Sequence, residues 1–437
     1  MTTRIAGVVT LMMTLPAGAA AQAPARQSAA EYVDTAAGVS LDDAVAQALE
    51  HEPSLRTARL AIDVARGERL QAGLRPNPLL SFGQQSEPGG TDKQTRLEMQ
   101  WPLDLFRRTG RVHVAEQELA VAQHGFADRE RQLAADVRLK YGEVAAAVRV
   151  LSITDDLLAA TTRQQTLVGA RVEAGAATPL DRNLLRVEVQ RLEADRASQS
   201  GALDRAMLEL KRLLGVPVDV PFKIRDSLEA LIAGETAPAD SDMSQRAARR
   251  GDVLQAEARV GAARAEVDRA KREGRPDVSL VGGYMRMDAG FPQRGFDDLG
   301  VLQPVHGIFH YFSAGAVVTV PLLNRNQGAV AAADARRLAA EAGLESTRLT
   351  AQSEIAASRS RDEHARAALA AYTSDARGLA RENLAVVRQT YDLGRVTLFD
   401  VLNEQRRYLD VELAYTAALR EAYEARQALK AALGEVR

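Results

Sequence analysis

The chain has 437 residues, 26% of them charged and 4% aromatic, with no cysteine and a formal net charge of −2. Without cysteine there is neither a disulfide framework nor a thiol to carry a lipid anchor. Without a basic excess there is no field to hold nucleic acid, so no nucleic-acid partner is expected. The sequence is rich in Ala, Leu, Arg, Glu and Gln, a balance that suits long helices packed through small side chains.

Arg4, the apolar run from Ile5 to Leu15 and the small residues that follow predict a secretory signal over 1–21. Residues 22–39 form an N-terminal segment. No later stretch reaches the roughly 18 apolar residues of a spanning helix, so any membrane span has to be made of strands. A helix is predicted from about Ser40 to Leu74, opened by Ser-Leu-Asp-Asp, whose hydroxyl can cap first-turn amides, and stopped by Arg-Pro-Asn-Pro at 75–78.

Two strands follow, Leu79 to Glu87 and Lys93 to Leu103. The second sets Leu97, Met99, Trp101 and Leu103 on one side and Arg96, Glu98 and Gln100 on the other. That is the alternation of a strand between lipid and water, and equally of a half-buried soluble strand, so alternation alone does not choose. Helical composition then runs from Arg107 to about Val172, near 100 Å at 1.5 Å per residue and too long for a globular domain of this size. A shorter helix returns from Pro179 to Leu214.

Beyond a linker at 216–239, with a short helix near Ser227 to Ile232, the same order recurs. A helix is predicted near Asp242 to Arg272, strands over Val278 to Asp288 and Tyr311 to Val320, a long helix from Gln327 to Leu393 and a return helix from Leu398 to Leu433. GAATPLD at 175–181 and GRVTLFD at 394–400 lie 219 positions apart, as do Trp101-Pro102-Leu103 and Val320-Pro321-Leu322. Upstream of the strands the offset is 198, with Pro53 facing Gly251 and Pro78 facing Pro276. The second copy therefore holds 21 extra residues, expected to form a loop around Phe291 to Phe309. One unit built twice gives repeats of 40–215, with strands at about 79–103, and 240–434, with strands at about 278–320.

Each Gly-x-x-Thr-x-x-Asp reads as the link between antiparallel helices. Gly175 and Gly394 permit the left-handed helix end, Thr178 and Thr397 cap the next helix, and Asp181 and Asp400 complete a capping box. Val401, Tyr408, Tyr415, Ala422 and Leu429 recur every seven residues, the spacing of coiled-coil packing.

In this order, twice over, the chain resembles the TolC-like outer membrane efflux proteins across nearly its whole length. The resemblance implies a mainly α fold with a small β part. Three copies would close a twelve-stranded β-barrel in the outer membrane of a Gram-negative bacterium, continued by a coiled-coil α-helical tunnel in the periplasm. It implies a passive export duct, opened at its periplasmic tip by an adaptor and driven by an inner membrane pump. Members with the RPNP-type approach to the strands include heavy-metal efflux systems, so metal ions or other small molecules are the implied cargo. The resemblance places a gate at Tyr391 and Asp400, nine residues apart, with Asn403 where the family carries a second acid and Asp181 on the other hairpin. The family's gate arginine finds Val396 in its place and Arg395 beside it. Adaptor contact is implied at Arg171, Gly175, Thr178, Gly394, Arg395 and Thr397.

No nucleophile elbow, phosphate loop or dinucleotide fingerprint occurs, and an enzyme is not expected. No cofactor or resident metal is expected either. His306 and His310 stand four apart in the extra segment without a zinc-protease Glu. The rival reading is a secreted periplasmic coiled-coil adaptor or scaffold that forms no channel. It gives no reason for two pairs of alternating strands at matched places.

Overall fold

The computed structural model describes residues 28–88, 90, 92–234 and 243–436. The predicted signal segment, residues 22–27 and residues 235–239 of the linker lie outside them. The first copy runs α1 (Leu41–His51), α2 (Pro53–Gly73), β1 (Leu79–Ser86), β2 (Lys93–Pro102), α3 (Arg107–Glu173) and α4 (Pro179–Leu213). After α5 (Leu228–Ala233), the second runs α6 (Met243–Ala248), α7 (Gly251–Glu273), β3 (Asp277–Phe296), β4 (Leu302–Thr319), α8 (Gln327–Ala371), a π turn (Tyr372–Ala376), α9 (Arg377–Asp392) and α10 (Leu398–Ala432). No helix among the described residues is long and apolar enough to cross a membrane.

Three sequence expectations need correction. The helix expected over 40–74 is broken at Glu52, whose carboxylate accepts from the Leu55 amide and starts a second helix with Pro53 in its first turn. Proline is placed well there because its missing amide would have had no intrahelical partner. The segment expected as a loop around 291–309 is mostly strand. β3 and β4 pair out to Phe296 and Leu302, with a bulge between Phe291 and Arg294, and only the turn at 297–301 is left between them. His306 and His310 therefore sit on β4, where His310 Nδ1 lies 2.7 Å from the Tyr284 hydroxyl. The helix expected near 242–272, finally, is broken at 249–250 into α6 and α7. The linker segment is docked. Ile224 is fully buried, and its amide donates to the Tyr32 carbonyl at 3.0 Å while its own carbonyl accepts from the Asp34 amide at 2.9 Å.

The strands form one antiparallel sheet in the order β1-β2-β3-β4. Its register puts Phe82, Leu97, Tyr284 and Phe312 on one row, with Met99, Trp101 and Leu280 on the same face. Gln94, Arg96, Glu98 and Gln100 take the other. Phe82 and Phe312 are 71% and 82% exposed, so the single chain leaves this apolar row open, with Arg286 and His310 beyond it on the same face.

The helices pack as two hairpins, α3 with α4 and α8/α9 with α10, joined along the seam between α3 and α10. Of the seven-residue stripe on α10, Val401, Tyr415, Ala422 and Leu429 are buried and Tyr408 is half-buried. Gly142 on α3 lets the Tyr423 ring lie against the helix backbone, and the Tyr423 hydroxyl donates to the Arg138 carbonyl at 3.0 Å. Below this, the buried Glu412 carboxylate receives Arg149 at 3.0 Å and Arg377 at 2.7 Å, and both guanidinium groups flank the Tyr415 ring. The π turn lies directly before Arg377.

A Cβ at Gly142 would run into the buried Tyr423 ring. Gly142→Ala is expected to destabilise the protein by about 1–3 kcal/mol through overpacking, outweighing its gain in helix propensity. A lowered thermal unfolding midpoint by circular dichroism checks this; an unchanged or raised midpoint contradicts it.

Candidate functional site at the hairpin tips

Both hairpins turn in the same way. α3 ends on Gly175 at φ +74°, with the Ala176 amide donating to the Arg171 carbonyl at 2.7 Å. α9 ends on Gly394 at φ +69°, with the Arg395 amide donating to the Thr390 carbonyl at 3.1 Å. This left-handed close satisfies carbonyls that the helix end leaves free, at no Cβ penalty.

The next helix then starts on a reciprocal cap. Thr178 Oγ1 accepts from the Asp181 amide at 3.2 Å, and the Asp181 carboxylate accepts from the Thr178 amide at 3.1 Å. Thr397 and Asp400 repeat the pair at 3.3 and 2.9 Å. Aspartate serves in place of the longer Glu because the threonine hydroxyl also donates to it, at 2.8 Å in the first turn and 2.6 Å in the second.

Above the turns the two hairpins share a small core of Val168, Leu185, Leu398, Val401 and Leu402. Tyr391 packs on its edge. Burial first, and then the Asp181 carboxylate, push the Tyr391 hydroxyl above its ordinary value, while Arg171 pulls the other way. The fold thus brings Tyr391, Asp181 and Arg171 together from the two copies. Asp400 stands apart from them, exposed and hydrogen-bonded to Thr397, whose side chain and amide hold its carboxyl below the ordinary range. Asn403 lies one turn further along α10, half-buried. Arg395, Gly394, Gly175, Thr178 and Thr397 are exposed at the turns, and Arg171 is half-buried.

Sequence reading passes over Arg388. With Tyr391 and Leu167 it lines a cleft of about 260 Å³, and burial holds it below its ordinary value with no carboxylate at ion-pair distance among the described residues. A signal was present, since Arg388 interrupts the apolar series Leu384, Val387, Tyr391 on one helix face. Gln405 is a second omission. It is buried and donates to Thr161 Oγ1 at 2.7 Å, tying α10 to α3 just above the tip. No group of three or more metal-ligating side chains occurs among the described residues.

Thr397→Ala removes the hydroxyl half of one cap and leaves the bond from the residue 397 amide to Asp400. Loss of a threonine cap costs roughly 0.5–2 kcal/mol of local stability, which predicts faster amide exchange over the second turn and no change at the first. Because the Asp400 carboxyl is lowered in the folded state, its contribution is full above the ordinary carboxylate value and lost as pH falls through the lowered one. Protection against hydrogen exchange at the second turn, taken relative to the intrinsic amide rate at each pH, should therefore fall on acidification in the wild type and depend less on acid in Thr397→Ala.

Residues 44–216 and 243–435 match the outer membrane efflux protein family. The cobalt-zinc-cadmium resistance protein CzcC of Cupriavidus metallidurans is 24% identical over 409 residues, 92% of this chain and 91% of its own. The outer membrane protein OprJ of Pseudomonas aeruginosa is 28% identical over 394 residues, 83% of this chain and 79% of its own. Among solved structures, CusC superposes with a TM-score of 0.75 at 19% identity, covering 91% of this chain and 92% of that one. The two family matches fall on the two copies, one on each side of the docked linker, and the chain belongs to the outer membrane efflux protein family.

Proposed function

We propose that three copies of this chain close a twelve-stranded barrel in the outer membrane and a helical tunnel beneath it, forming the passive exit duct of a tripartite efflux system. The observation that carries this is the four-stranded sheet at one end of the long hairpins, with β1 and β4 unpaired at its edges and β2 setting Leu97, Met99 and Trp101 on one face and Arg96, Glu98 and Gln100 on the other. In lipid an unpaired edge costs several kcal/mol per backbone group, and three-fold closure removes both edges at once. Leu60, Val64 and Leu70 on α2 and Leu338 and Leu349 on α8 lie open in the single chain, which suits packing against further copies. A scaffold without a channel leaves the two-faced sheet unexplained.

In this reading 40–215 and 240–434 are two structural repeats bridged by 216–239. Tyr391, Asp181, Asp400 and Asn403 form the periplasmic gate, with Tyr391 and Asp181 holding the two hairpins together. A periplasmic adaptor meets the exposed turns at Arg171, Gly175, Thr178, Gly394, Arg395 and Thr397, and an inner membrane pump supplies the drive. The cargo is divalent transition-metal ions, supported by the match to a cobalt-zinc-cadmium resistance protein along nearly the whole chain. Metal is cargo here, in keeping with a duct that transmits rather than binds.

Detergent extraction of outer membranes should yield a species of three subunits; a monomer or dimer in the soluble periplasmic fraction would sink the channel reading. In planar bilayers Asp400→Ala should raise single-channel conductance. Salt of about 1 M shortens the screening length to about 3 Å, so the readout there is bore rather than charge. Unchanged conductance would remove Asp400 from the gate.

A further inference from the structure

Four arginines stand where the chain crosses between sheet and helices, one at each crossing. Arg75 precedes β1, Arg108 follows β2, Arg275 precedes β3 and Arg325 follows β4. All four are exposed, and none has a carboxylate at ion-pair distance among the described residues. Arg108 donates to the Gly73 carbonyl at 2.6 Å, and Arg275 lies over the Phe106 ring, 5.8 Å from its centre.

The acids at this level are already engaged by other arginines. Asp104 receives Arg111 at 2.6 Å, Asp277 receives Arg107 at 3.3 Å and Asp268 receives Arg272 at 2.6 Å. Glu273 faces Arg269 at 3.8 Å. What is left over at the crossings is positive.

Large apolar side chains are interleaved with these charges. Leu74 precedes Arg75, Leu105 and Phe106 precede Arg108, and Leu322 and Leu323 precede Arg325, with Leu323 93% exposed. Trp101, on the apolar face of the sheet, donates from Nε1 to the Pro76 carbonyl at 3.1 Å, which fixes its indole beside Arg75. An indole with one apolar side and one bonded N–H marks the membrane–water boundary. Arginine next to exposed leucine at that depth holds its charge among headgroups while the apolar neighbour enters hydrocarbon. Arg275, Leu322 and Leu323 also line an open cleft of about 780 Å³.

We propose that this belt binds the phosphodiester headgroups of anionic glycerophospholipid in the periplasmic leaflet of the outer membrane. The four guanidinium groups of each chain grip phosphate oxygens, for which their planar forks are suited. Leu105, Phe106, Leu322 and Leu323 take the acyl chains, which a free phosphate would leave bare. The belt fastens the sheet at one depth and sets where the helices begin. The proposal rests on the barrel reading above, which the subunit mass tests separately.

The test titrates the detergent-purified trimer with dioleoyl phosphatidylglycerol and with dioleoyl phosphatidylcholine, reading bound lipid by native mass spectrometry. Phosphatidylglycerol should bind at least about tenfold more tightly, and each of Arg75→Gln and Arg325→Gln should weaken it by about fivefold, the worth of one interfacial cation. The variant with all four changed should lose the preference, while Arg66→Gln on exposed α2 should keep it. If the fourfold variant does not assemble, the two single variants decide. Equal binding of the two lipids by the wild type, or a preference untouched by the crossing variants, overturns the proposal. So does equal competition by inorganic phosphate, which would make the belt an anion site indifferent to lipid.

Discussion

The backbone edges of β1 and β4 are the constraint from which the rest follows. A sheet of four strands with an exposed row of large apolar side chains suits hydrocarbon, but hydrocarbon offers no partner for an open edge. One chain has too few strands to close on itself around a bore, so the edges have to be satisfied by further copies. In the proposed assembly the copies are arranged about an axis, the helices that continue from the strands surround the same axis, and together they make a tube. The alternation of Leu97, Met99 and Trp101 with Arg96, Glu98 and Gln100 on β2 then sorts lipid from lumen without any further instruction.

Below the sheet a different chemistry holds the two hairpins of the chain together. The seam between α3 and α10 joins the first copy to the second through close backbone approach at Gly142 and through the pair of Arg149 with Glu412, while within the second copy Arg377 also meets Glu412 and Asp362 on α8 meets Arg426 on α10 at 2.8 and 2.9 Å. Buried ion pairs of this kind add little net stability, yet removing one partner leaves a charge stranded and costs several kcal/mol. Along helices built largely of alanine and leucine, where neighbouring registers look alike, such pairs penalise a slip of one turn far more than apolar contact would.

Much of this was legible in the sequence because it is local. The glycine turns, the threonine caps with their aspartates and the period-two pattern of β2 each depend on residues within one or two turns of each other, and the duplication let each feature be seen twice. What escaped depended on distant partners or on a residue with two readings. Pro53 looked like a helix interior because the apolar spacing continues past it, whereas the Glu52 side chain makes it the first turn of a new helix. Residues 291–309 read as a loop because they are the extra residues of the second copy, but pairing between β3 and β4 carries both strands through most of them. Arg388 and Gln405 are polar residues on buried faces, and only the packing of α10 against its neighbours gives them a place. The π turn before Arg377 has no local sequence mark at all.

The length of α3 carries a consequence of its own. Its 67 residues run without interruption from the sheet to the tip, and the matching offset of 219 between the copies holds from Trp101 to Gly434, so both hairpins reach equally far. The chain is therefore a covalent ruler of roughly 100 Å at 1.5 Å per residue. It cannot stretch to follow a widening gap between two membranes, because lengthening a helix means breaking its ladder of hydrogen bonds. Whatever engages the tip has to come to a height written into the number of helical turns, and only a change made equally in both hairpins would move that height.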